Sequence, residues 1–509
     1  MTEQRIGIID IGSNSIRLVI YERTANGAHR VIDGSKRAAR LSEQIDENGN
    51  IPAHAVHELS DTLNHFRLIC AHHQAGHIRA AATAAIRNAG NRKQVLQQIE
   101  SETSLRVELL SGEEEAGYGF LGMINSMDVK DGFLIDIGGG STEVSLFRDR
   151  SLVHSVSFPF GSVSATRRFG SKGILENADL RELEAYIQET AAREPWIGQS
   201  PGLPLIGVGG TVRAFGKIHQ AQLKYSFSSS HNYPIPGQDV DRMFEQLRML
   251  PLNKRRQVAG LSKDRVDIIV PGIAILRTLF KLMQATHYVV CGSGLRDGLF
   301  YATRFPDRPR LDNVLSYSVN NLAALHPELP RQHVSQVNRT ALLLFDQLRQ
   351  KHPFPERARL WIDTASTLFR IGTSIDYNDY KKHTFYLMVN SHIYGLSHRE
   401  TLLCSAIASY KNKGRVKQLV SAYKPLLDET DAATIGMLGT LLQLSIALDR
   451  SETQAIGRLE TELTESKLLL RAVRAEGSLA VERQEVNSLA AEFKKVWGLT
   501  PVLLLPDYR

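Results

Sequence analysis

Apolar and polar positions follow two different periods along the first 300 residues. "RIGIIDIG" and "IRLVIYE" are short, β-branched and apolar, and a Gly-Ser-Asn stretch separates them. That pattern predicts two strands around a tight turn. "PAHAVHELSDTLNHFRLICAHH" carries apolar residues at helical spacing, "HIRAAAT" reads as a strand, and "NRKQVLQQIESETS" as a helix. "LRVELLSG" is a further strand, and "EEEAGYGFLGMINSM" opens on three acids that suit the positive end of a helix. The strand–turn–strand pattern then returns at "DGFLIDIGGGSTEVSLFRDRSLVHSVSF". "LPLIGVGGTVRAFGKI" and "HYVVCGSGLRDGLFYATRF" each predict a strand, a Gly-rich turn and a helix start. Strands alternating with helices predict an α/β fold, and the returning pattern predicts two similar halves.

The texture changes after "FPDRPRLD" (305–312), a Pro- and charge-rich stretch that reads as a linker. Beyond it the pattern is mostly helical, as in "VSQVNRTALLLFDQLRQKH" and "RETLLCSAIASYKNK". "SKLLLRAVRAEG" and "SLAVERQEVNSLAAEFKKVWG" predict a small αβ cap near the end. The chain of 509 residues divides on this reading into 1–127, 128–305 and 306–509, in line with a prior of roughly 150 residues per domain.

Composition narrows the function classes. Hydrophobic residues make up 42% and charged residues 23%, as expected of a soluble globular protein. No window of about 18 apolar residues predicts a membrane span, and no secretory signal precedes "IGIID", so a cytoplasmic protein without a membrane partner is expected. Three scattered cysteines, Cys70, Cys291 and Cys404, exclude a disulfide framework and suit a reducing compartment. A surplus of 61 basic over 54 acidic residues, net +7, suits a polyanionic ligand or a slightly basic solvated surface.

The candidate chemistry lies in the repeat. Aligned on Asp10 and Asp136, the two strand–turn–strand stretches share Asp-Ile-Gly and a Ser at Ser15 and Ser141, with an offset of 136 − 10 = 126 residues. Glycines let the backbone approach an anion, and an Asp at a strand end can hold Mg²⁺ directly or through water. A single "DIGSNS" reads equally well as a plain hairpin turn. Two such turns facing one another would clamp a phosphate and its metal from both sides.

The pair "DIGSNS…R" and "DIGGGSTE" resembles the two phosphate motifs of the actin, sugar-kinase and Hsp70 superfamily. More narrowly, with "AATAAIRNA" (81–89), "ELLSGEEEA" (108–116), "GVGGTVRA" (207–214), "VPGIAIL" (270–276) and "GSGLRDGL" (292–299), it resembles the exopolyphosphatase / guanosine pentaphosphate phosphohydrolase family. The resemblance implies a duplicated actin-like (ribonuclease H-like) fold, with subdomain I over 1–127 and subdomain II over 128–305, then an HD-like helical domain. It implies Glu115 as the general base that aligns and deprotonates the attacking water, with Glu114 a second candidate. Asp136, Glu143 and Asp10 are the implied Mg²⁺ ligands. Ser13, Asn14 and Ser15 in one jaw and Gly138, Gly139, Gly140 and Ser141 in the other are expected to bind phosphate. Arg87 is expected to clamp the terminal phosphate, because guanidinium forks phosphate oxygens well. Gly209, Gly210 and Thr211 form a third candidate phosphate turn, with Thr83 and Arg17 as lesser candidates. Bland readings exist for each: helix-end acids, a turn-capping Asp, a solvated Arg.

The implied reaction is in-line attack of water on a terminal phosphoanhydride phosphorus, with inorganic polyphosphate or guanosine pentaphosphate as substrate. A homodimer is implied, and no nucleic-acid partner is expected. The C-terminal part keeps His383 and Asp449 but has Phe369-Arg370 where an HD metal site needs a His-acid pair, so a non-catalytic role is expected. The basic runs "KNKGRVK" (411–417) and "NKRR" (253–256) could line a channel for a long anion or be ordinary solvated faces. Rival readings are an ATP-dependent sugar or acetate kinase, which needs an acceptor other than water; a non-catalytic polyphosphate or alarmone sensor; and an actin-like filament.

Overall fold

The computed structural model describes residues 5–170, 175–475 and 477–505. Its chain packs as two units, one formed by residues 1–25 and 29–314, the other by 26–28 and 315–509.

The first unit holds two mixed sheets built to the same plan. In the first, β1 (Arg5–Ile11), β2 (Ser15–Arg23), β3 (His29–Ala38), β4 (His77–Ala82) and β5 (Val107–Leu109) lie in the order β3-β2-β1-β4-β5. In the second, β6 (Gly132–Ile137), β7 (Thr142–Arg148), β8 (Ser151–Phe158), β9 (Leu205–Val208), β10 (Tyr233–Pro236) and β11 (His287–Val290) lie in the order β10-β11-β9-β6-β7-β8. Each sheet has three consecutive antiparallel strands, and the first of them pairs in parallel with a later strand. The duplication read in the sequence is therefore a duplication of topology, with β10 added at one edge.

Burial explains why the strand patterns were legible. β6 is a nearly continuous apolar run and β7 is buried along almost its whole length, and Phe133, Ile135, Val144 and Leu146 enter one core with Phe215, Ile273 and Leu276. Ile9, Ile11, Ile16 and Leu18 form the matching core of the first sheet with Leu59, Leu63 and Phe66 of the helix Ala53–His72. The strand β3 escapes the pattern because most of its residues are exposed or half-buried, and it holds its place through backbone pairing with β2.

The second unit is helical, with a three-stranded sheet of β12 (Ile456–Leu463), β13 (Lys467–Ala475) and β14 (Thr500–Leu504) beside the helix Ala480–Trp497. Asp449 pairs with His333, not with His383: His333 Nδ1 lies 2.8 Å from Asp449 Oδ2 and both side chains are 2% exposed. The edge of Phe369 meets the His333 ring, and Arg370 pairs with Glu452 at 3.0 Å.

Candidate active site

The two hairpin turns close in the same way. Gly12 N–H donates to Ser15 O at 3.2 Å, and 126 residues later Gly138 N–H donates to Ser141 O at 3.0 Å. Their tips meet: a Cβ added at Gly139 would press on Ser13 Cβ at 3.0 Å and Asn14 N at 3.3 Å. The turn carbonyls are taken up elsewhere. Asn14 O accepts from Ala39 and Arg40, and Ser13 O from Ser42. Gly138 O accepts from Ser162, and Gly139 O from Val163 and Ser164, at the start of the helix Ser162–Phe169. With carbonyls anchored outward, the turns are set to offer N–H groups to the space between them.

That space is one cleft. Asp10, Ser13, Asn14, Ser15, Glu115, Asp136, Gly138, Gly139, Ser141, Glu143, Gly209 and Gly210 all line it, together with Thr83 and Arg17. Two ion pairs hold its halves together: Lys36 with Asp264, and Arg40 with Asp267 through contacts of 2.8 and 3.2 Å.

Three expected phosphate contacts lie off the cleft wall. Arg87 Nη1 donates to Glu115 Oε2 at 2.7 Å and to Leu110 O at 2.9 Å, so the arginine holds the carboxylate. Thr211 is fully buried against Gly272. Gly140 faces Ser13 and Ser42 of the opposite jaw.

Three arginines that the sequence did not single out do line the cleft: Arg213, Arg265 and Arg296. With Arg17 they form a cationic wall of four guanidinium groups. Arg213 Nε is held by Gly209 O at 3.0 Å, and Arg296 Nη1 reaches Asp10 Oδ2 at 3.3 Å. The glycines of "GVGG" make room for this wall: a Cβ at Gly210 would collide with the Arg265 guanidinium, and one at Gly209 with the Asp136 carboxylate. Gly209 also has φ +81°, a conformation that costs other residues energy. Burial, then the neighbouring Arg296 and Arg213, push the Arg17 guanidinium down to about 9, as expected where cations crowd without an anion between them.

The same cleft is lined by carboxylates. Asp136 on β6 and Glu143 on β7 are cross-strand partners; in the first sheet the equivalent partner of Asp10 is Arg17 (143 − 17 = 126). Burial, and after it the Glu143 charge, push Asp136 up to about 7. Burial, then Glu143, raise Glu115 well above the usual carboxylate range, while Arg87 opposes them. Glu143 is also raised by burial, against the Ser141 and Ser157 hydroxyls, which both donate to its Oε1 at 2.7 Å. Asp10 is raised by burial despite Arg296 and Arg17.

Glu115 owes its position to the helix Gly112–Ile124. Ser111 caps it, accepting from Glu114 N at 3.1 Å, while Glu114 Oε2 accepts from Ser111 N at 2.8 Å. Glu114 is therefore occupied as half of a capping box, and Glu115, one residue on, is turned into the cleft.

Among the described residues no three His, Cys, Asp or Glu side chains stand close enough to hold a metal by themselves. The donor chemistry nevertheless fits Mg²⁺, which takes one or two carboxylates and fills its octahedron with water and phosphate oxygens. The Asp136 carboxylate accepts no hydrogen bond among the described residues although burial disfavours its charge, and Glu143 Oε2 receives no side-chain donor.

A two-sheet fold with a Gly-lined cleft between duplicated hairpins, lined by carboxylates and arginines together, is that of the actin-like superfamily. Known proteins agree. Residues 19–304 match the model of the Ppx/GppA phosphatase family, and residues 314–492 that of Ppx/GppA phosphatase, domain III. The chain belongs to the Ppx/GppA phosphatase family. A guanosine-5'-triphosphate,3'-diphosphate pyrophosphatase of Vibrio vulnificus (strain YJ016) is 27% identical over 414 residues, 80% of each chain. One of Aeromonas hydrophila is 26% identical over 475 residues, 91% of each. Among solved structures, an exopolyphosphatase from Cytophaga hutchinsonii is similar with a TM-score of 0.57 and 25% identity, covering 60% of this chain and all of that one. The Aquifex aeolicus Ppx/GppA family member gives 0.52 at 22% identity, covering 60% of this chain and 99% of that one.

Proposed function

We propose that the protein is a Mg²⁺-dependent exopolyphosphatase that removes the terminal phosphate of inorganic polyphosphate and releases orthophosphate. The observation that carries this reading is the cleft's lining: Arg17, Arg213, Arg265 and Arg296 share it with Asp10, Glu115, Asp136 and Glu143 and with the two Gly-Ser turns. Such a lining reads phosphates and neutralises their charge, which is most of what phosphoryl transfer requires of a protein.

In this mechanism the turns of Ser13–Ser15 and Gly138–Ser141 grip the chain end. Asp136 and Glu143 would hold Mg²⁺, with Asp10 as a further ligand; the ion, when bound, would neutralise charge on the phosphate that is cut. Glu115 accepts a proton from the water that attacks the terminal phosphorus in line. Arg87 keeps the Glu115 carboxylate aimed. Arg17, Arg213, Arg265 and Arg296 hold the next phosphates and stabilise the departing anion. The protein acts in the cytoplasm as a homodimer on this reading, and the C-terminal unit takes no part in the chemistry.

A second reading, hydrolysis of the 5'-terminal phosphate of guanosine pentaphosphate, is favoured by the names of the relatives from Vibrio vulnificus and Aeromonas hydrophila. Both substrates present the same triphosphate end to the cleft. The test is phosphate release from long-chain polyphosphate and from guanosine pentaphosphate at equal concentration of ends, with and without Mg²⁺. Higher kcat/KM on polyphosphate supports the first reading; higher kcat/KM on the nucleotide replaces it with the second.

A further inference from the structure

We propose that Ser157 is a positioning residue that aims Glu143 at the divalent cation, and that its hydroxyl sets the cation affinity of the site. The inference rests on the reading that Asp136 and Glu143 hold that cation.

Ser157 belongs to β8 and lies directly across from Glu143 in the β7–β8 register. Asp136, Glu143 and Ser157 therefore form one row across three strands. The Ser157 Oγ donates to Glu143 Oε1 at 2.7 Å, and Ser141 Oγ donates to the same atom at the same distance. Two short, charge-assisted bonds on one oxygen fix the rotation of a carboxylate that is 4% exposed. They consume Oε1 and leave Oε2 as the oxygen offered to a cation.

The two serines differ in what else they do. Ser141 lines the cleft within the phosphate turn, so a change there disturbs substrate and carboxylate together. Ser157 does not line the cleft. It lies under the first residue of the Glu115 helix, where a Cβ on Gly112 would approach Ser157 Cβ to 2.7 Å. The absence of a side chain at Gly112 is what allows β8 to bring a hydroxyl beneath both Glu143 and the helix start. Outer partners of this kind tune a metal site without touching the metal, and their loss typically costs about 10–100-fold in affinity.

The test is direct binding of Mn²⁺, followed by electron paramagnetic resonance on the full chain, for wild type, Ser157→Ala, Glu143→Gln and the double variant, with the KM for polyphosphate measured beside it. Ser157→Ala is expected to weaken Mn²⁺ binding about tenfold or more while leaving KM within about twofold. In the Glu143→Gln background the same substitution is expected to add no further loss, because the carboxylate it aims is gone. Unchanged Mn²⁺ affinity in a folded Ser157→Ala protein overturns the proposal, as does an equal loss in both backgrounds. If Ser157→Ala does not fold, Ser157→Cys, a weaker donor of similar size, is expected to give a smaller loss of the same kind; undiminished affinity there overturns the proposal equally. Wild-type protein that binds no Mn²⁺ overturns the cation reading itself, which keeps the two failures apart.

Discussion

At the residue scale, the proposed base Glu115 owes its raised proton affinity to its surroundings. Burial and the neighbouring Glu143 raise its proton affinity, and Arg87 holds it in place and restrains the rise. The sign of the consequence is definite. An acid whose folded pKa is raised stabilises the fold fully below its unfolded value and loses that contribution as pH climbs through the folded value. A general base, in contrast, must be ionised to act, so activity rises over the same window. Glu115→Gln is therefore expected to gain thermal stability relative to wild type as pH rises from about 5 to 8, near and above the carboxylate reference values. A pair of melting curves at each pH checks it; a constant difference between the two proteins refutes the burial argument.

Asp10, Asp136 and the two Gly-Ser turns were legible in the sequence because a repeat is a local property, whereas Glu115 stood out from its neighbouring acids only through the family resemblance. Arg213, Arg265 and Arg296 were not, since three distant segments deliver them to one wall. A local signal existed for the first: it sits four residues past Gly209, which kept room for Asp136. Arg87 was legible as a cation near the site, but its anion is Glu115, 28 residues along the chain. His333 was missed because nothing in the sequence says which of 17 histidines meets Asp449.

At the scale of elements, the helix Gly112–Ile124 is a positioning device whose precision depends on its first turn. Ser111 and Glu114 each satisfy a backbone N–H that the helix would otherwise leave unpaired. Ser111→Ala is expected to cost about 1 kcal/mol of stability and to lower kcat more than it raises KM, because Glu115 is carried by the frayed turn. Urea unfolding and steady-state kinetics on one preparation check both parts; a stability loss with unchanged kcat would mean that the cap does not control the base. The strands were readable wherever both faces are buried, as in β6 and β7. The edge strand β3 was not, since pairing to β2 holds it and its mostly exposed or half-buried residues leave no apolar period to detect.

At the scale of the whole molecule, the surplus of positive charge is not spread as the basic runs suggest. Within "NKRR", Arg255 is 1% exposed and donates to the carbonyls of Leu247, Leu250 and Val266, so it braces a loop and meets no ligand. "KNKGRVK" differs: Lys411 and Arg415 line a recess of about 380 Å³ in the second unit with Lys381 and Lys382, and burial beside Lys411 pushes Lys381 down to about 8. The chemistry assigned to the protein does not depend on that recess. It depends on the first unit, where duplication sets two turns against each other and delivers Glu115 beside them. The most direct measurement is phosphate release from polyphosphate with Mg²⁺ by wild type and Glu115→Gln, paired with equilibrium binding of the same polyphosphate. The substitution is expected to lower kcat by about 10²–10⁴-fold and to leave the binding constant within about threefold; equal turnover by the two proteins would contradict the account.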